Sequence, residues 1–485
     1  MRNPPAICKL QQKQVTIPMS RIEKDALGTL ELPDDCLYGI HTQRSLNHFS
    51  FSEERLDPVF IKAFALVKKA CIRANEETGY LDAEKARVLA ESCSEIAEGK
   101  HHAWIVVNPW QGGAGTSTNM NFNEVIANLA LQKLGYSPGT YDIIHPLHHV
   151  NLHQSTNDVY PTALRVAVLL RLKDLERAVI DWQADLQEKE AVFQNILKLG
   201  RTELQDAVPM TLGMTFGAWA EAVARDRWRI FKARERIKIH NLGGTAVGTG
   251  LGAPREYIFK ASEYLKKETG FILARAENLV DATQNLDNFA EVSAILKSYA
   301  VNLMKIANDL RLLSSGPAGG FHELRLPEIQ AGSSIMPGKV NPVIPESAVQ
   351  VALRVMSNDQ VIAQAAGMGQ LELNHLLPLI SHTFMESLKL LTAVTVAMDH
   401  HCTQDIQANR ESCKSKIGEG WTLATALVPY FGYDTVQKWV KEALAEKKSF
   451  KNLVLEKKYL TQDQLDTLLS PQNMLKLCFT PGEHL

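Results

Sequence analysis

Long stretches with an apolar residue at every third or fourth position fill the middle of the chain. The first of them places leucine, valine and tryptophan at helical spacing from Leu164 to Leu197 and predicts about ten turns of helix. The stretch over 292–313 alternates steps of four and three, as at a seam between nearly parallel helices. Long helices are therefore predicted, in a bundle, over 161–197, 212–240, 292–313, 345–370 and 379–400.

Shorter helical patterns flank this middle part. Residues 61–98 show helical spacing, and beyond Lys414 shorter helices are predicted over 422–429, 433–447 and 461–469. We therefore expect an all-α fold in three parts, namely a mostly helical segment 1–157, a long-helix bundle 158–413 and a small helical segment 414–485. Because the long helices carry more apolar surface than a monomer can cover, we expect the bundle to be shared between subunits.

Composition and charge exclude several classes of partner. The 485 residues are 45% hydrophobic and 22% charged, with a net charge of −2, which gives no electrostatic case for nucleic acid or an anionic membrane. The seven cysteines form no CxxC pair, so neither a disulfide framework nor a zinc site is indicated. Residues 1–20 lack the apolar core of a signal peptide, and charges interrupt the most apolar helices. We expect a cytoplasmic protein with no membrane partner.

Four polar stretches interrupt the helical pattern, at 112–119, 154–158, 201–207 and 331–346. The last contains glycines and prolines that exclude a regular helix. It also carries chemically useful side chains, which are Ser333, Ser334, Lys339, Asn341 and Glu346. Since a long loop without regular structure is usually either functional or disordered, and this one holds few charges, we predict a shaped functional loop. A plain surface connection is the alternative.

Two of the other polar stretches place hydroxyl groups before predicted helices. Three glycines precede Thr116 and Ser117, ahead of a helix predicted from Glu124. Hydroxyls and unpaired backbone N–H groups at a helix start suit a carboxylate or a phosphate, although a glycine-rich cap alone explains the pattern as well. The segment 155–157 (Ser-Thr-Asn) precedes the first long helix, where capping is again the plain explanation.

A histidine-rich segment precedes the second of these stretches. Four histidines occur between His145 and His153, without helical His-x-x-x-His spacing and without interleaved acidic residues. This pattern does not favour a metal site. A stack of polar loop histidines, or a site that recognises an unusual substrate group, fits it better.

Together the motifs resemble the aspartase/fumarase superfamily over nearly the full chain, and they are closer to aspartases than to fumarases. The matching segments are Arg21-Ile-Glu-Lys-Asp-Ala-Leu-Gly28, Tyr38-Gly-Ile-His-Thr42, Gly113-Ala-Gly-Thr-Ser-Thr-Asn-Met-Asn121, Gln154-Ser-Thr-Asn-Asp158, Gly200-Arg-Thr202, Leu204-Gln-Asp-Ala-Val-Pro209, Gly332-Ser-Ser-Ile-Met-Pro-Gly-Lys-Val-Asn-Pro342 and Gly432-Tyr-Asp434. The resemblance implies a three-domain, all-α homotetramer with the helix bundle as its core. It also implies sites shared between three subunits, no organic cofactor, and cleavage of a C–N or C–O bond beside a carboxylate of a small-molecule substrate.

The resemblance also implies roles for individual residues. Ser333 would take the proton from the carbon beside the retained carboxylate, and Lys339 and Glu203 stand with it as catalytic candidates. Substrate-binding positions by the same matching are Thr116, Ser117, Ser155, Thr156, Asn157, Thr202, Ser334 and Asn341. Asn341 and Thr202 would help Lys339 hold a carboxylate, and Asn157 would lie near the amine. Glu346 and His148 would not contact the substrate and would hold the residues that do.

The chemistry explains this choice of residues. A proton beside a carboxylate is too weakly acidic for an unassisted serine, so preorganised donors must stabilise the dianionic intermediate. A seryl oxygen becomes a competent base only if backbone donors stabilise its charge. Gly332 and Gly338 would let the loop close over the substrate.

Two departures from the family pattern bear on the substrate. Glu203 stands where aspartases and fumarases usually have Gln or His, and the histidine segment differs at four positions, which are Leu147, His148, Leu152 and His153. A carboxylate at position 203 would repel a second substrate carboxylate or pair with a cation. A benign exchange, with the carboxylate bonded to a nearby histidine, is the alternative.

These patterns predict a carbon–nitrogen lyase that performs α,β-elimination, with L-aspartate as the default substrate. An ergothionase-like enzyme that releases trimethylamine is the main rival, with Glu203 facing the trimethylammonium or imidazole group and Trp110 offering a cation–π face. Fumarate hydratase is a third possibility. A non-catalytic structural relative is the fourth, although it would not need Ser333, Lys339, Asn341 and Glu346 together.

Overall fold

The computed structural model describes residues 20–419, 422–468, 470 and 472–473. Its helices are α1 (Ile40–His48), α2 (Pro58–Glu77), α3 (Ala83–Ala97), α4 (Thr116–Lys133), α5 (Thr156–Phe193), α6 (Leu212–Ile237), α7 (Arg255–Thr269), α8 (Leu279–Gln284), α9 (Asp287–Leu313), α10 (Val343–Gly367), α11 (Leu377–Met398), α12 (Arg410–Glu419), α13 (Thr422–Phe431), α14 (Tyr433–Glu446), α15 (Phe450–Glu456) and α16 (Gln462–Leu468). Its strands are β1 (Ser20–Asp25), β2 (Gly28–Pro33), β3 (Leu197–Thr202), β4 (Gln205–Thr211), β5 (Ile239–His240), β6 (Ala274–Arg275), β7 (Leu324–Arg325) and β8 (Gln407–Ala408). The strands pair into four two-stranded sheets, parallel for β5 with β6 and antiparallel elsewhere.

The described residues divide into two compact units. The first contains 20–167, 239–285 and 368–382, and the second contains 168–238, 286–367 and the described residues from 383 onwards. The three-part division expected from sequence at 157 and 413 stays a prediction.

Long helices form the core of the second unit. Helix α9 packs along α10 and α6, and it buries one apolar seam at steps of three and four, made of Phe289, Val292, Leu296, Tyr299, Leu303, Ile306 and Leu310. The five long helices are confirmed within a few residues, except that α5 ends at Phe193. Two of the buried polar side chains in this core are paired: the Tyr299 hydroxyl lies 2.6 Å from Thr395 Oγ1, and Trp182 Nε1 donates to Thr403 Oγ1 at 2.9 Å.

Aromatic side chains form the core of the first unit. The ring of Phe64 on α2 stacks on Phe122 of α4 with 4.4 Å between centroids, and the Tyr160 ring lies 5.1 Å from that of Phe60. Helix α2 also packs against α3 and α7. This packing fixes α4 and the start of α5, which carry two of the polar stretches.

The structure corrects the predicted start of one helix and refines two other expectations about secondary structure. Residues 61–98 form two helices, because Asp82 accepts a hydrogen bond from Lys85 N and caps α3. Helix α4 begins at Thr116 and not at Glu124, since the first turn of the polar motif is itself helical. The polar interruption at 201–207 belongs to the hairpin of β3 and β4, whose two turn residues, Glu203 and Leu204, have φ of 53° and 61°.

The C-terminal part of the second unit packs around Trp439, whose ring stacks on Tyr459 with 4.3 Å between centroids. Helices α13, α14 and α16 match the three predicted ones, while residue 469 of the last prediction lies outside the described residues, as does the segment 1–19 considered for a signal peptide. None of the helices in the described ranges combines the length and apolar character needed to span a membrane.

Candidate active site

The loop that follows β7 folds back on itself and gathers three candidate residues. Gly332 lies against the backbone of the segment Lys339–Val340, where a Cβ atom on residue 332 would come within 2.6 Å of Val340 Cα. Asn341 Nδ2 donates to the Gly332 carbonyl at 2.8 Å, and this hydrogen bond joins the two ends of the loop. The loop thus brings Ser333, Lys339 and Asn341 into one compact turn, as a shaped functional loop requires.

The Ser333 hydroxyl receives two backbone hydrogen bonds inside this loop. Met336 N donates to Ser333 Oγ at 2.9 Å and Ile335 N donates at 3.3 Å. Two N–H groups directed at one hydroxyl oxygen stabilise negative charge on that oxygen. This geometry favours the role predicted for Ser333, which stays a prediction.

The other polar groups of the loop are open to solvent in the single chain. Lys339 and Ser334 are exposed, and Glu346 is half-buried in the first turn of α10. Their neighbours Ile335 and Met336 are also exposed, at 82% and 48%. Such exposure of apolar side chains is expected for a loop that closes over a ligand or meets another chain.

The hairpin of β3 and β4 presents Thr202 and Glu203 at its exposed tip. Below the tip, Arg201 Nη2 forms an ion pair with the fully buried Glu323 at 2.6 Å, and its guanidinium lies over the Phe321 ring at 4.1 Å. Because Glu323 directly precedes β7, this ion pair ties the hairpin to the strand from which the Ser333 loop starts. Thr202 and Glu203 are thereby attached to the same unit as Ser333.

The glycine-rich turn holds Thr116 at the first residue of α4. Gly115 has φ of 96°, and a Cβ atom there would overlap the buried ring of Tyr160, so only glycine fits. Thr116 Oγ1 donates to the Gly113 carbonyl at 2.7 Å, and Ser117 is buried. Gln111 Oε1 accepts from Thr118 N at 2.9 Å, which caps the helix.

The turn before α5 is held by a buried carboxylate. Asp158 Oδ1 accepts from Ser155 N at 3.0 Å, and Oδ2 accepts from the backbone N–H groups of Gly243 and Thr245 at 3.1 Å. Burial raises the pKa of Asp158 to about 7. Asn157 is fixed as well, because its Nδ2 donates to the Ala246 carbonyl at 2.7 Å. Ser155, Thr156 and Asn157 therefore stand on a rigid turn.

The histidine segment forms one turn of π-helix over Pro146–Val150. The rings of His145 and His148 lie 4.2 Å apart, and His149 Nδ1 accepts from His145 N at 2.8 Å. His148 is exposed, whereas His153 bonds Asn75 Oδ1 at 2.7 Å. The segment is thus a stack of polar histidines. Across the described ranges, no group of three or more His, Cys, Asp or Glu side chains is arranged to hold a metal ion.

Trp110 stands just before the glycine-rich turn and is 41% exposed. Its Nε1 donates to Glu54 Oε2 at 2.5 Å, and its ring lies 5.5 Å from that of His382. The indole hydrogen bond lowers the pKa of Glu54, with the nearby His382 adding to this effect. An aromatic face beside a carboxylate is a combination that attracts organic cations.

The candidate residues therefore fall into two groups, one in each unit. In the first unit they are Thr116, Ser117, His148, Ser155, Thr156 and Asn157, and in the second they are Thr202, Glu203, Ser333, Ser334, Lys339, Asn341 and Glu346. Their roles stay predictions.

Sequence reasoning missed the buried residues that hold the turns. Lys68, Asn151 and Glu124 are examples; Glu124 accepts from the N–H groups of Gly39, His41 and Thr42 and so fixes the start of α1. The signal for Lys68 was available, because it falls at helical spacing from Phe64 on the apolar face of α2.

Comparison with solved structures defines the class of protein. The chain superposes on the crystal structure of a fumarate lyase:delta crystallin from Brucella melitensis bound to cobalt, with a TM-score of 0.91 and 43% identity, and the match covers 95% of this chain and 100% of that one. The fold is that of a helical fumarate lyase, and the predicted mostly helical class is confirmed.

Sequence comparisons define the family. A family model described as lyase matches residues 28–357, and one described as the fumarase C C-terminus matches 423–476. The chain is 44% identical to an aspartate ammonia-lyase of Helicobacter pylori, over 94% of this chain and 98% of the relative. It is 45% identical to that of Pseudomonas aeruginosa, over 95% and 98%. The chain belongs to this lyase family, which confirms the predicted superfamily and the carbon–nitrogen lyase class.

Proposed function

We propose that this protein is an ammonia-lyase that converts L-aspartate to fumarate and ammonia. The relatives named aspartate ammonia-lyase support the substrate, and they align over nearly their full length. The observation that carries the mechanism is the pair of backbone N–H groups that donate to Ser333 Oγ. These donors lower the cost of the negative charge that Ser333 needs to act as a base.

The reaction begins when the Ser333 alkoxide takes a proton from the carbon beside the retained carboxylate. The electron pair of that C–H bond moves into the carboxylate, which becomes a dianion. Hydroxyl and N–H donors at the starts of α4 and α5, with Thr116, Ser155 and Thr156, stabilise this charge. Lys339 and Asn341 hold the other carboxylate.

The dianion then collapses to form the carbon–carbon double bond. The C–N bond breaks with its electron pair on nitrogen, so the substrate ammonium leaves as ammonia near Asn157. Ser333 returns its proton to the leaving ammonia, and fumarate with one ammonium ion is the balanced product. No organic cofactor takes part in this proposal.

We infer further that the active form is a homotetramer whose sites combine residues of different subunits. The exposed apolar side chains on the long helices and on the Ser333 loop support this inference, since a partner chain would cover them. Light scattering coupled to size-exclusion chromatography measures the mass directly. A monomeric, fully active enzyme would contradict it.

The proposed reaction is tested by incubating the protein with L-aspartate while the ultraviolet absorbance of fumarate is followed. L-malate and ergothioneine serve as parallel substrates, with thiourocanate as the product of the latter. Fumarate release from aspartate at enzymatic rates is the expected result. Turnover of another substrate, with none of aspartate, would refute the proposal.

An amine-lyase that acts on a betaine such as ergothioneine is the second candidate. Two observations favour it: the exposed carboxylate of Glu203 at the hairpin tip, and the half-exposed Trp110 ring beside Glu54. Both would attract a trimethylammonium group and neither is needed for aspartate.

A further inference from the structure

A lysine that forms no ion pair with a carboxylate among the described residues lies in the core of the first unit. Lys68 on α2 is 0% exposed, and its ammonium donates to Asn151 Oδ1 at 3.0 Å and to Gln154 Oε1 at 2.8 Å. Both of these partners are neutral amide oxygens. Burying a charge against neutral acceptors is costly, so such a lysine in a core calls for a reason.

The two amide partners of Lys68 connect both turns of the first unit. Asn151 Oδ1 also accepts from Asn119 Nδ2 at 3.0 Å and from Asn123 Nδ2 at 3.2 Å, both on α4. Asn151 Nδ2 in turn donates to the Gln154 carbonyl at 3.2 Å. Helix α4, which starts at Thr116, is thus linked through one amide to the residue that precedes Ser155.

The charged and titratable groups that face Lys68 come from three helices. Asp158 is the nearby carboxylate, on α5, while Cys71 of α2 and Cys93 of α3 contribute thiols. Tyr257 of α7 lies beyond Cys71. Burial raises the pKa of both thiols, that of Cys71 to about 12, so both are neutral near pH 7. Lys68 therefore contributes a positive charge to this interior.

We propose that Lys68 is a positioning residue for the lyase reaction, which locks the turns at Thr116 and Ser155 into one body and places a positive charge beneath them. The inference rests on the proposed function, in which these two turns hold the anionic intermediate. Lys68 touches neither turn directly and acts through Asn151 and Gln154. Its charge adds to the partial positive charge of the two helix starts.

The protonation of Lys68 gives the proposal a pH signature. Burial lowers the pKa of Lys68 to about 8. The ammonium is therefore present at pH 7 and lost as the pH rises through about 8. A dicarboxylate in the site should bind tightly below this pH and more weakly above it.

The first test measures succinate binding to the wild-type protein by isothermal titration calorimetry from pH 6.5 to 9.5. Succinate has no group that titrates in this range, whereas aspartate has its amine. The dissociation constant should rise on the order of tenfold above about pH 8. A dissociation constant that stays flat over this range would overturn the proposal without the need for any variant.

Variants then assign the pH dependence to one residue. Lys68→Met should raise the KM for aspartate on the order of tenfold at pH 7 and abolish the change in succinate binding near pH 8. Lys68→Arg, which stays charged, should move that change to higher pH. Lys69→Gln is the matched control, because Lys69 is the adjacent lysine on α2 and pairs with Glu268 at 2.7 Å.

The outcomes separate this inference from the proposed function. A folded Lys68→Met protein that keeps the wild-type KM and pH profile refutes the positioning role while aspartate turnover stands. A wild-type protein that does not convert aspartate refutes the proposed function and the inference with it. A uniform loss of kcat in Lys68→Met, with an unchanged pH profile, indicates a purely structural residue and also overturns the proposal.

Discussion

Replacement of Gly332 by alanine tests whether the compact form of the Ser333 loop is the catalytic one. The added Cβ would lie 2.6 Å from the Lys339 carbonyl carbon and from Val340 Cα, and still closer to the Lys339 oxygen. Ordinary contacts begin near 3.4 Å, so these backbone atoms must separate by at least 3.4 − 2.6 = 0.8 Å. Both sides of the overlap are backbone, and a rotamer change cannot relieve it.

A shift of this size is large for catalysis and small for stability. A displacement of about 1 Å between reacting groups costs roughly a hundredfold in rate. Because the loop is exposed and contributes little to the core, the free energy of unfolding should change by less than about 1 kcal/mol. The predicted result for Gly332→Ala is therefore a kcat lowered about a hundredfold at an almost unchanged Tm.

The assay is the initial rate of fumarate release from saturating aspartate, paired with thermal unfolding by circular dichroism. Gly367→Ala is the matched control, since a Cβ atom at Gly367 meets no atom within 4 Å and the variant should retain the wild-type rate. A Gly332→Ala enzyme with wild-type kcat would show that the folded-back loop is not the catalytic geometry.

Three further perturbations follow from the site and the core. Glu203→Gln should raise kcat/KM for aspartate severalfold, because it removes a carboxylate that repels the second carboxylate of the substrate; an unchanged value in steady-state kinetics would count against that role. Gly115→Ala should destabilise the protein by about 2–5 kcal/mol in urea unfolding, from left-handed strain plus the overlap with Tyr160, and a loss below about 1 kcal/mol would contradict the assignment. Burial raises the pKa of Asp399 well above its usual range, and the hydrogen bond with Asp185 and the negative charges of Asp185 and Asp181 raise it further. A raised folded-state pKa gives stability that is complete below the unfolded pKa of about 4 and lost progressively as the pH rises to the folded-state pKa. The wild-type Tm should therefore fall as the pH rises from about 5 to about 8, and Asp399→Asn should remove that fall.

Helical periodicity predicted the long helices well, because each buries a continuous apolar stripe that the sequence displays directly. The α9 seam from Phe289 to Leu310 is the clearest case. The hairpin of β3 and β4 was missed for a physical reason. Its turn places Glu203 and Leu204, two residues that rarely adopt positive φ, in the left-handed region, so the usual Asn-Gly signal was absent.

The candidate residues of the site could be proposed from sequence because they cluster in short polar segments between helices, and their roles stay predictions. The buried residues that hold them in place were not predicted, because those residues come from distant positions in the sequence. Lys68 and Gln154, for example, are 86 residues apart in sequence and meet only in the folded unit. Hydrogen bonds of this kind depend on tertiary packing, which residue spacing along the chain does not encode.

In the proposed mechanism Ser333, stabilised by the N–H groups of Ile335 and Met336, removes the proton from carbon. Turnover of aspartate by Ser333→Ala tests it most directly, with succinate affinity and oligomer mass measured on the same sample. The expected kcat is at least about a thousandfold lower than that of the wild type, with binding and assembly retained. A Ser333→Ala enzyme within about tenfold of the wild-type kcat would contradict it.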